Sequence, residues 1–329
     1  MNTRGRTWAL VLAAGEGSRL RRLTTTAAGI AIPKQFCSLN GDLSLLQEAL
    51  RRAEGVAARE HICTVVAQDH RPWWEAALRW MPQENVIVQP ANRGTGNGIL
   101  LPLLHILERD PEARIVLLPS DHHVRDERIL MRSLQQATAQ LETRDSQLVL
   151  LGLEPDEIDP DLGYIVPGEH DGTHLRAVER FVEKPSAAAA RELIIEGALW
   201  NAFIIAARAR ALLDLFTRRY ATIVGAMRTA VARDVHAPSE PHAASHLYRS
   251  LPEVDFSRHV VQGSEAALRV LTVPPCGWSD LGTPARVAQA LRRLPAPVAA
   301  PRDRLFPANG YLNLAAQHAR LLVSSHSHA

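Results

Sequence analysis

An α/β fold, with a Rossmann-like, mainly parallel sheet flanked by helices, is the class this sequence predicts. Three observations carry it. Through the first 150 residues, short apolar runs alternate with segments of helical apolar spacing, the pattern of βαβ units on a parallel sheet. Gly15, Asn92-Arg93-Gly94-Thr95 and Asp121 each follow a strand-like run, at the carboxyl edge where such sheets bind ligands. And 329 residues suffice for one large domain with a short C-terminal appendage.

The first strand is placed at 8–13, an apolar stretch that reads as buried and parallel. It opens into Ala13-Ala14-Gly15-Glu16-Gly17-Ser18, where two glycines let backbone N–H groups approach a bulky anion. Arg19, and Lys34 within Pro33-Lys34-Gln35-Phe36, add two positive charges where a nucleoside triphosphate could lie. Gly-Lys-Ser/Thr is missing, so this is no Walker loop. Leu20 stands at the third glycine position, so the dinucleotide fingerprint fails too. Taken alone, the turn could equally be a tight strand-to-helix connection without a ligand.

Further strands are placed at 61–66, 85–88, 114–118 and 147–151, with helical spacing over 44–55, 71–80, 98–108 and 129–142. The second half changes character: 164–166 and 174–182 read as strands, 186–197 and 209–231 as helices. Residues 234–246, rich in His, Pro, Ala and Ser, read as a surface loop, and 296–301 as a linker to a tail helix at 313–322. The expected organisation is one domain over 1–295, with halves of about 1–150 and 151–295, followed by a tail over 296–329.

Net charge is +2 with 22% charged residues, too mild a balance to argue for nucleic acid as a partner. No apolar run approaches the roughly 18 residues of a membrane span, and no signal-peptide core follows the N-terminus. Cys37, Cys63 and Cys276 are odd in number and lack metal spacing, so no disulfide framework is expected and the cytoplasm is the natural compartment.

Six further blocks carry chemistry. Leu117-Leu118-Pro119-Ser120-Asp121-His122-His123 delivers a carboxylate to the sheet edge. Mg²⁺ takes one or two carboxylates plus phosphate oxygens, and Asp121 suits that role; a helix-capping aspartate is the plainer alternative. The adjacent histidines rarely converge on one tetrahedral ion, so His122 is expected to pack or to orient substrate. Gly277-Trp278-Ser279-Asp280-Leu281-Gly282-Thr283 supplies a second carboxylate in a turn before a helix, with Trp278 as a packing anchor. Gln89-Pro90-Ala91-Asn92-Arg93-Gly94-Thr95 offers amide, guanidinium and backbone groups that can read the edge of a base. Val178 to Pro185 contains Glu183-Lys184, a carboxylate and a cation suited to a sugar phosphate, or else an exposed ion pair at a strand end. Pro160-Asp161-Leu162-Gly163-Tyr164-Ile165 and Trp200-Asn201-Ala202-Phe203 complete the set, with Val254-Asp255-Phe256-Ser257 beside them.

In this order the blocks resemble the sugar-nucleotidyltransferases, most closely their mannose-1-phosphate guanylyltransferase branch, over residues 8 to about 293. The resemblance implies the nucleotidyltransferase fold and a Mg²⁺-dependent reaction of an NTP with a sugar 1-phosphate. Its products would be an NDP-sugar and pyrophosphate, with GDP-mannose from GTP and mannose 1-phosphate favoured. It implies catalytic roles for Arg19 on the β/γ-phosphates and Lys34 on the α-phosphate. Asp121 and Asp280 would hold the metal. The nucleotide would lie on Ala13, Ala14, Gly15, Gly17, Ser18, Gln89, Asn92, Arg93, Gly94 and Thr95. The sugar phosphate would lie on Gly163, Tyr164, Glu183, Lys184, Asn201 and Asp255.

Three departures from the family pattern stand out. Gly96-Asn97 replaces an Ala-Pro pair, which implies a looser base loop; Phe203 stands where the family has glycine, which implies a narrower pocket. The connection from Leu20 to Pro33 is longer than usual and is expected to form a mobile flap. The family's long bifunctional members add an isomerase domain of cupin fold, for which this chain leaves no room. The apolar stretch over 311–323 would pack on the parent domain or on a second copy, so a homodimer is possible; no nucleic acid or membrane partner is expected. A pyrophosphorylase for another hexose 1-phosphate, a regulatory homologue that binds without turnover, and a Rossmann oxidoreductase are the alternatives.

Overall fold

β1 (Thr7–Ala13) opens the computed structural model, which describes residues 6–236, 243–294 and 311–326. It is followed by α1 (Leu45–Val56), β2 (Ile62–Ala67), α2 (Arg71–Ala77), β3 (Val86–Gln89), α3 (Gly94–Arg109), β4 (Arg114–Pro119), β5 (His123–Val124), α4 (Glu127–Gln140) and β6 (Leu148–Leu153). The second half contains β7 (Gly163–His170), β8 (Leu175–Glu183), α5 (Ala187–Ile195), β9 (Leu199–Arg208), α6 (Ala209–His236), α7 (Ala243–Tyr248), β10 (Leu268–Val273), β11 (Trp278–Ser279), α8 (Pro284–Arg292) and α9 (Leu314–His326).

Nine of the strands form one sheet in the order β3-β2-β1-β4-β9-β6-β10-β8-β7. From β3 to β4 every pairing is parallel, as the βαβ pattern requires. Beyond β4 the sheet is mixed: β9 runs antiparallel to both β4 and β6, and β8 antiparallel to β10 and β7. The mainly parallel reading thus describes the first half. β9 and β10 escaped the sequence reading altogether. β9 runs straight into α6 without a turn residue, and the short β10 is preceded by a single 3-10 turn at Glu265–Ala267 and not by an α-helix that would mark it.

Local chemistry explains the helix starts. Ser44 and Gln47 form a reciprocal capping box on α1, while Asp126, Ser186 and Thr283 accept the first free N–H groups of α4, α5 and α8. α1, α2, α4 and α5 cover one face of the sheet; α3, α6 and α7 cover the other. α3 begins four residues before the expected position 98, so Gly94 to Asn97 are its first turn. α6 extends to His236, with non-helical backbone at Tyr220, and α7 begins at Ala243. Of the expected 234–246 loop, both ends are therefore helical, and 237–242 lie outside the described residues, as does the 296–301 linker. No helix among the described residues is long and apolar enough to cross a membrane.

The connection from Leu20 to Pro33 is a folded hairpin and not a free flap. Thr25 bridges Ala31, and the Ile32 N–H donates to Thr24 O at 2.8 Å. Leu20 and Leu23 anchor its base in a separate apolar cluster with Cys37, Leu39 and Leu281.

Candidate active site

The donor-side loops gather at the carboxyl ends of β1, β2 and β3. Gly17 holds φ +59, and a Cβ there would lie 3.0 Å from Lys34 Cβ, so the two blocks of the N-terminal signature are in contact. Gln35 cements them by donating to Ala13 O at 3.0 Å and Gly15 O at 2.9 Å. Beside the loop lies a cavity of about 280 Å³, bounded by Ala14, Gly17, Ser18, Gln89 and Asn92 among others. Asn92 donates across it to Glu16 at 2.9 Å. Its far wall was not foreseen: Asp69 and His70 from the turn after β2, Trp73 from α2, and Thr24 and Ile32 from the hairpin. Burial lowers the His70 pKa, keeping the ring neutral near pH 7.

The base loop is tighter than expected. Asn97 is buried and donates to Arg93 O (2.8 Å) and Pro252 O (2.9 Å), while Gly96 N–H donates to Val254 O at 2.7 Å. Thr95 accepts from the Phe256 N–H at 2.9 Å. Arg93 spends its guanidinium on the carbonyls of Tyr248 and Arg249, so its side chain clamps the 248–256 segment. Gly94 sits at φ +79, and a Cβ there would come 2.4 Å from Val254 O. Gly94→Ala is therefore expected to cost about 2–4 kcal/mol from backbone strain plus overlap, read as a lowered midpoint in thermal unfolding. An unchanged midpoint would mean that the 248–256 segment gives way freely.

The two aspartates, far apart in sequence, are united by a two-stranded sheet. β5 pairs antiparallel with β11, matching His123 to Ser279 and Val124 to Trp278. Asp121 and Asp280 flank that pairing. Arg52, from α1, fixes it further by donating to His122 O at 3.2 Å. Lys34 Nζ bridges the two blocks, 2.9 Å from Asp121 Oδ2 and 2.7 Å from Asp280 O, with its side chain 5% exposed. Burial alone would raise the Asp121 carboxyl, but the Lys34 ammonium, with His122 behind it, holds it below the usual carboxylate range. His122 is driven down to about 4, chiefly by burial, and its ring packs edge-on against Trp278 at 5.2 Å. Trp278 also lies 6.3 Å from Trp200, so it packs as expected.

Arg19 reaches across from the donor side, 2.8 Å from Asp161 Oδ2 and 3.6 Å from Asp280 Oδ2. Asp161 falls inside a block that the sequence marks, but the resemblance gives roles there only to Gly163 and Tyr164. Arg286 has no local signal at all. From the first turn of α8 it lies 2.9 Å from Asp159 and 3.6 Å from Asp280 Oδ1, under Trp200 at 4.6 Å. Asp280 Oδ1 is buried with no hydrogen-bond partner.

The acceptor-side residues converge through strand register. Gly163 is paired with Glu183 across β7–β8, and Gly152 with Asn201 across β6–β9. A Cβ on Gly163 would meet Glu183 Oε2 at 2.7 Å and Asn201 Cβ at 3.4 Å, so glycine is what lets these side chains close on one point. Burial pushes the Glu183 carboxyl up; Lys184 opposes the rise and Asp255 adds to it. Asp255 itself caps the turn at Ser257–Val261, accepting from the Arg258 N–H at 2.9 Å. The Tyr164 ring is fully buried and its hydroxyl bonds the Asp159 backbone, so its side chain shapes the 159–163 loop.

Among the described residues three non-glycines have positive φ: Lys184 (+49), Phe203 (+56) and Leu281 (+48). All three belong to these blocks. Each such conformation costs on the order of 1–3 kcal/mol and persists where surrounding structure imposes it. Phe203 thus keeps a glycine-like backbone, with its ring against Phe256 at 6.0 Å.

The family model described as "Nucleotidyl transferase" matches residues 8–296. The chain is 28% identical over 277 residues to the xanthan biosynthesis protein XanB of Xanthomonas campestris pv. campestris, covering 83% of this chain and 57% of that protein. It is 28% identical over 283 residues to the mannose-1-phosphate guanylyltransferase of Escherichia coli (strain K12), with the same coverage. The chain therefore spans under two thirds of the length of these relatives. Among solved structures, one from Thermus thermophilus, described as a mannose-1-phosphate geranyltransferase, superposes with a TM-score of 0.72 at 25% identity. The match covers 91% of this chain and 81% of that one.

Proposed function

The chain belongs to the nucleotidyl transferase family, and from that premise we propose that it transfers a nucleotidyl group from an NTP to a sugar 1-phosphate, releasing pyrophosphate. GTP and mannose 1-phosphate are the substrates we favour, on the names carried by relatives such as the Escherichia coli protein. The observation that carries the reading is the position of Lys34. Its buried ammonium sits between Asp121 and the Asp280 turn, with Arg19 beside it. Gly17 of the glycine loop lies against Lys34, and Arg19 reaches Asp161, two residues before Gly163, so these charges join the donor-side loop to the acceptor-side block.

In this reading the β- and γ-phosphates lie on the glycine-loop amides and draw Arg19 from Asp161. An oxygen of the sugar phosphate attacks the α-phosphorus in line, the bond to the bridging oxygen breaks, and pyrophosphate leaves with that electron pair. Lys34 neutralises charge on the α-phosphate as it builds, while Asn201 and Glu183 hold the sugar hydroxyls and Lys184 the acceptor phosphate. Positioning and preorganised charge supply the catalysis, and no covalent enzyme intermediate is required.

The donor set fits magnesium. Asp121 and Asp280 present hard carboxylate oxygens, and Asp280 Oδ1 has no hydrogen-bond donor to satisfy it. Among the described residues no group of three or more His, Cys, Asp or Glu could hold a metal ion by itself. Bound there, magnesium would supply charge neutralisation to the reacting phosphates.

Pyrophosphate release, measured for five NTPs against mannose, glucose and N-acetylglucosamine 1-phosphates with Mg²⁺, tests the proposal. GTP with mannose 1-phosphate is expected to give the highest kcat/KM. Faster turnover of another pair would replace the substrate assignment. Nucleotide binding without pyrophosphate from any pair would make the protein a non-catalytic binder.

A further inference from the structure

The tail was expected to pack on the parent domain or on a neighbour. It packs on the parent domain, at one particular place. The Ser38 N–H donates to Leu312 O at 3.0 Å; Leu314 N–H donates back to Ser38 O at 2.9 Å, and Ala315 N–H to Leu39 O at 3.2 Å. Gly41 lies so close to Asn313 that a Cβ would meet its amide nitrogen at 2.7 Å, and Asn313 Oδ1 in turn accepts from the Ala316 N–H of α9. Leu314 is fully buried.

What Leu314 is buried among gives the contact its meaning. Its cluster is separate from the two main cores and includes Leu20 and Leu23, Cys37 and Leu39, and Leu281. Leu20 follows Arg19 directly, Cys37 closes the turn that carries Lys34, and Leu281 follows Asp280. The three charged groups of the candidate site thus stand on three loops with one shared apolar floor, and Leu314 is part of that floor. Two of those loops are short and irregular, with few backbone bonds beyond their own turns, so side-chain packing beneath them decides where their charges sit.

We propose that the C-terminal segment from Leu312 onward is a clasp that positions Arg19, Lys34 and Asp280, and that affinity for the nucleoside triphosphate depends on it. The inference rests on the reading of those residues as the phosphate-binding group. Leu314 is a positioning residue: it touches no substrate, and acts through the loops. The acceptor cluster of Gly163, Glu183 and Asn201 stands on β7, β8 and β9, which lie in the other cores, so its coupling to the clasp is indirect, through the Arg19–Asp161 and Arg286–Asp159 ion pairs.

The test uses the full chain with Leu314→Asp, the milder Leu314→Ala, the conservative Leu314→Met, and Val231→Ala as a control buried in the α6 face. GTP affinity is measured by equilibrium titration, and KM values for GTP and mannose 1-phosphate by pyrophosphate release. Hydrogen exchange is followed at the Leu23, Thr24 and Ile32 amides of the hairpin. Leu314→Ala is expected to weaken GTP binding about tenfold, roughly the effect of misplacing one charge-assisted contact, with the mannose 1-phosphate KM within about twofold. The hairpin amides should exchange faster, Leu314→Met should restore both, and Val231→Ala should reproduce neither. Leu314→Asp should exaggerate the pattern if it folds; Leu314→Ala decides if it does not. Equal rises in both KM values, or unchanged hairpin exchange in Leu314→Ala, would overturn the clasp. If the wild-type chain neither binds nor uses GTP, the functional reading fails instead, and hairpin exchange still decides whether the tail holds the loops.

Discussion

Asp280→Asn is expected to lower kcat/KM by about 10²–10³-fold while the chain still folds. The carboxylate is buried, 3.6 Å from both Arg19 and Arg286, and its Oδ1 has no hydrogen-bond partner. An amide of the same shape fits that space but removes the negative charge that a divalent ion and Arg19 need. Half of it would also present N–H donors to two cations. The fold should tolerate the change, because Arg286 keeps Asp159 at 2.9 Å and Glu157 at 3.2 Å. Weakening the two ion pairs to Arg19 and Arg286, neither at full hydrogen-bond distance, puts the stability cost at about 1–3 kcal/mol. Pyrophosphate release as a function of Mg²⁺ concentration, with thermal unfolding alongside, separates the effects. Near-normal turnover at unchanged Mg²⁺ dependence would remove Asp280 from the site.

Lys34→Met should be at least as damaging to turnover, again about 10²–10³-fold, because it deletes a preorganised charge from a site that is otherwise intact in shape. Asp121 loses its counter-ion in that variant. Its side chain is 35% exposed, so water recovers part of the loss, and the stability cost should fall below the roughly 3–5 kcal/mol of a broken, fully buried pair. Lys34→Arg is the sharper comparison. Of the 37 lysines and arginines in the chain, only Lys34 and Lys184 are lysines, and both fall in the candidate site. A compact ammonium with three donors fits between Asp121 Oδ2 and the carbonyls of Asp280 and Leu281; a planar guanidinium does not. Lys34→Arg should therefore leave turnover close to that of Lys34→Met. Recovery to wild-type rates would show that Lys34 provides charge alone, without a geometric demand.

Much of the candidate site was legible because its residues stand in short blocks that announce local conformations. The glycines of the first loop, the aspartate after β4 and the glycine-flanked Asp280 turn each imply a chain reversal at a strand end, and each was found there. What was missed has no local signature. Arg286 looks like any helix-surface arginine until Asp159, Asp280 and Trp200 close around it. Asp69, His70 and Trp73 join the cavity wall only because β2 lies beside β1. Two local inferences were reversed by packing. Gly96-Asn97 read as a loosening but is buried and bonded to Pro252 O. The Thr-rich connection read as a flap but has leucines that tie its base to an apolar cluster.

The sequence by itself determined the parallel first half of the sheet and the strand ends that carry the glycine loop, Asp121 and the Asp280 turn. These depend on periodicity and turn chemistry, which act over a few residues. Only the tertiary structure decided that β9 and β10 complete a mixed sheet, and that Lys34 links Asp121 to the Asp280 turn. It alone placed the tail beneath the loops that carry Arg19, Lys34 and Asp280. Those are contacts between segments far apart in the chain, set by which apolar faces bury one another and by strand pairing such as β5 with β11. No local pattern encodes them, because the free energy that selects them exists only once the chain has closed on itself.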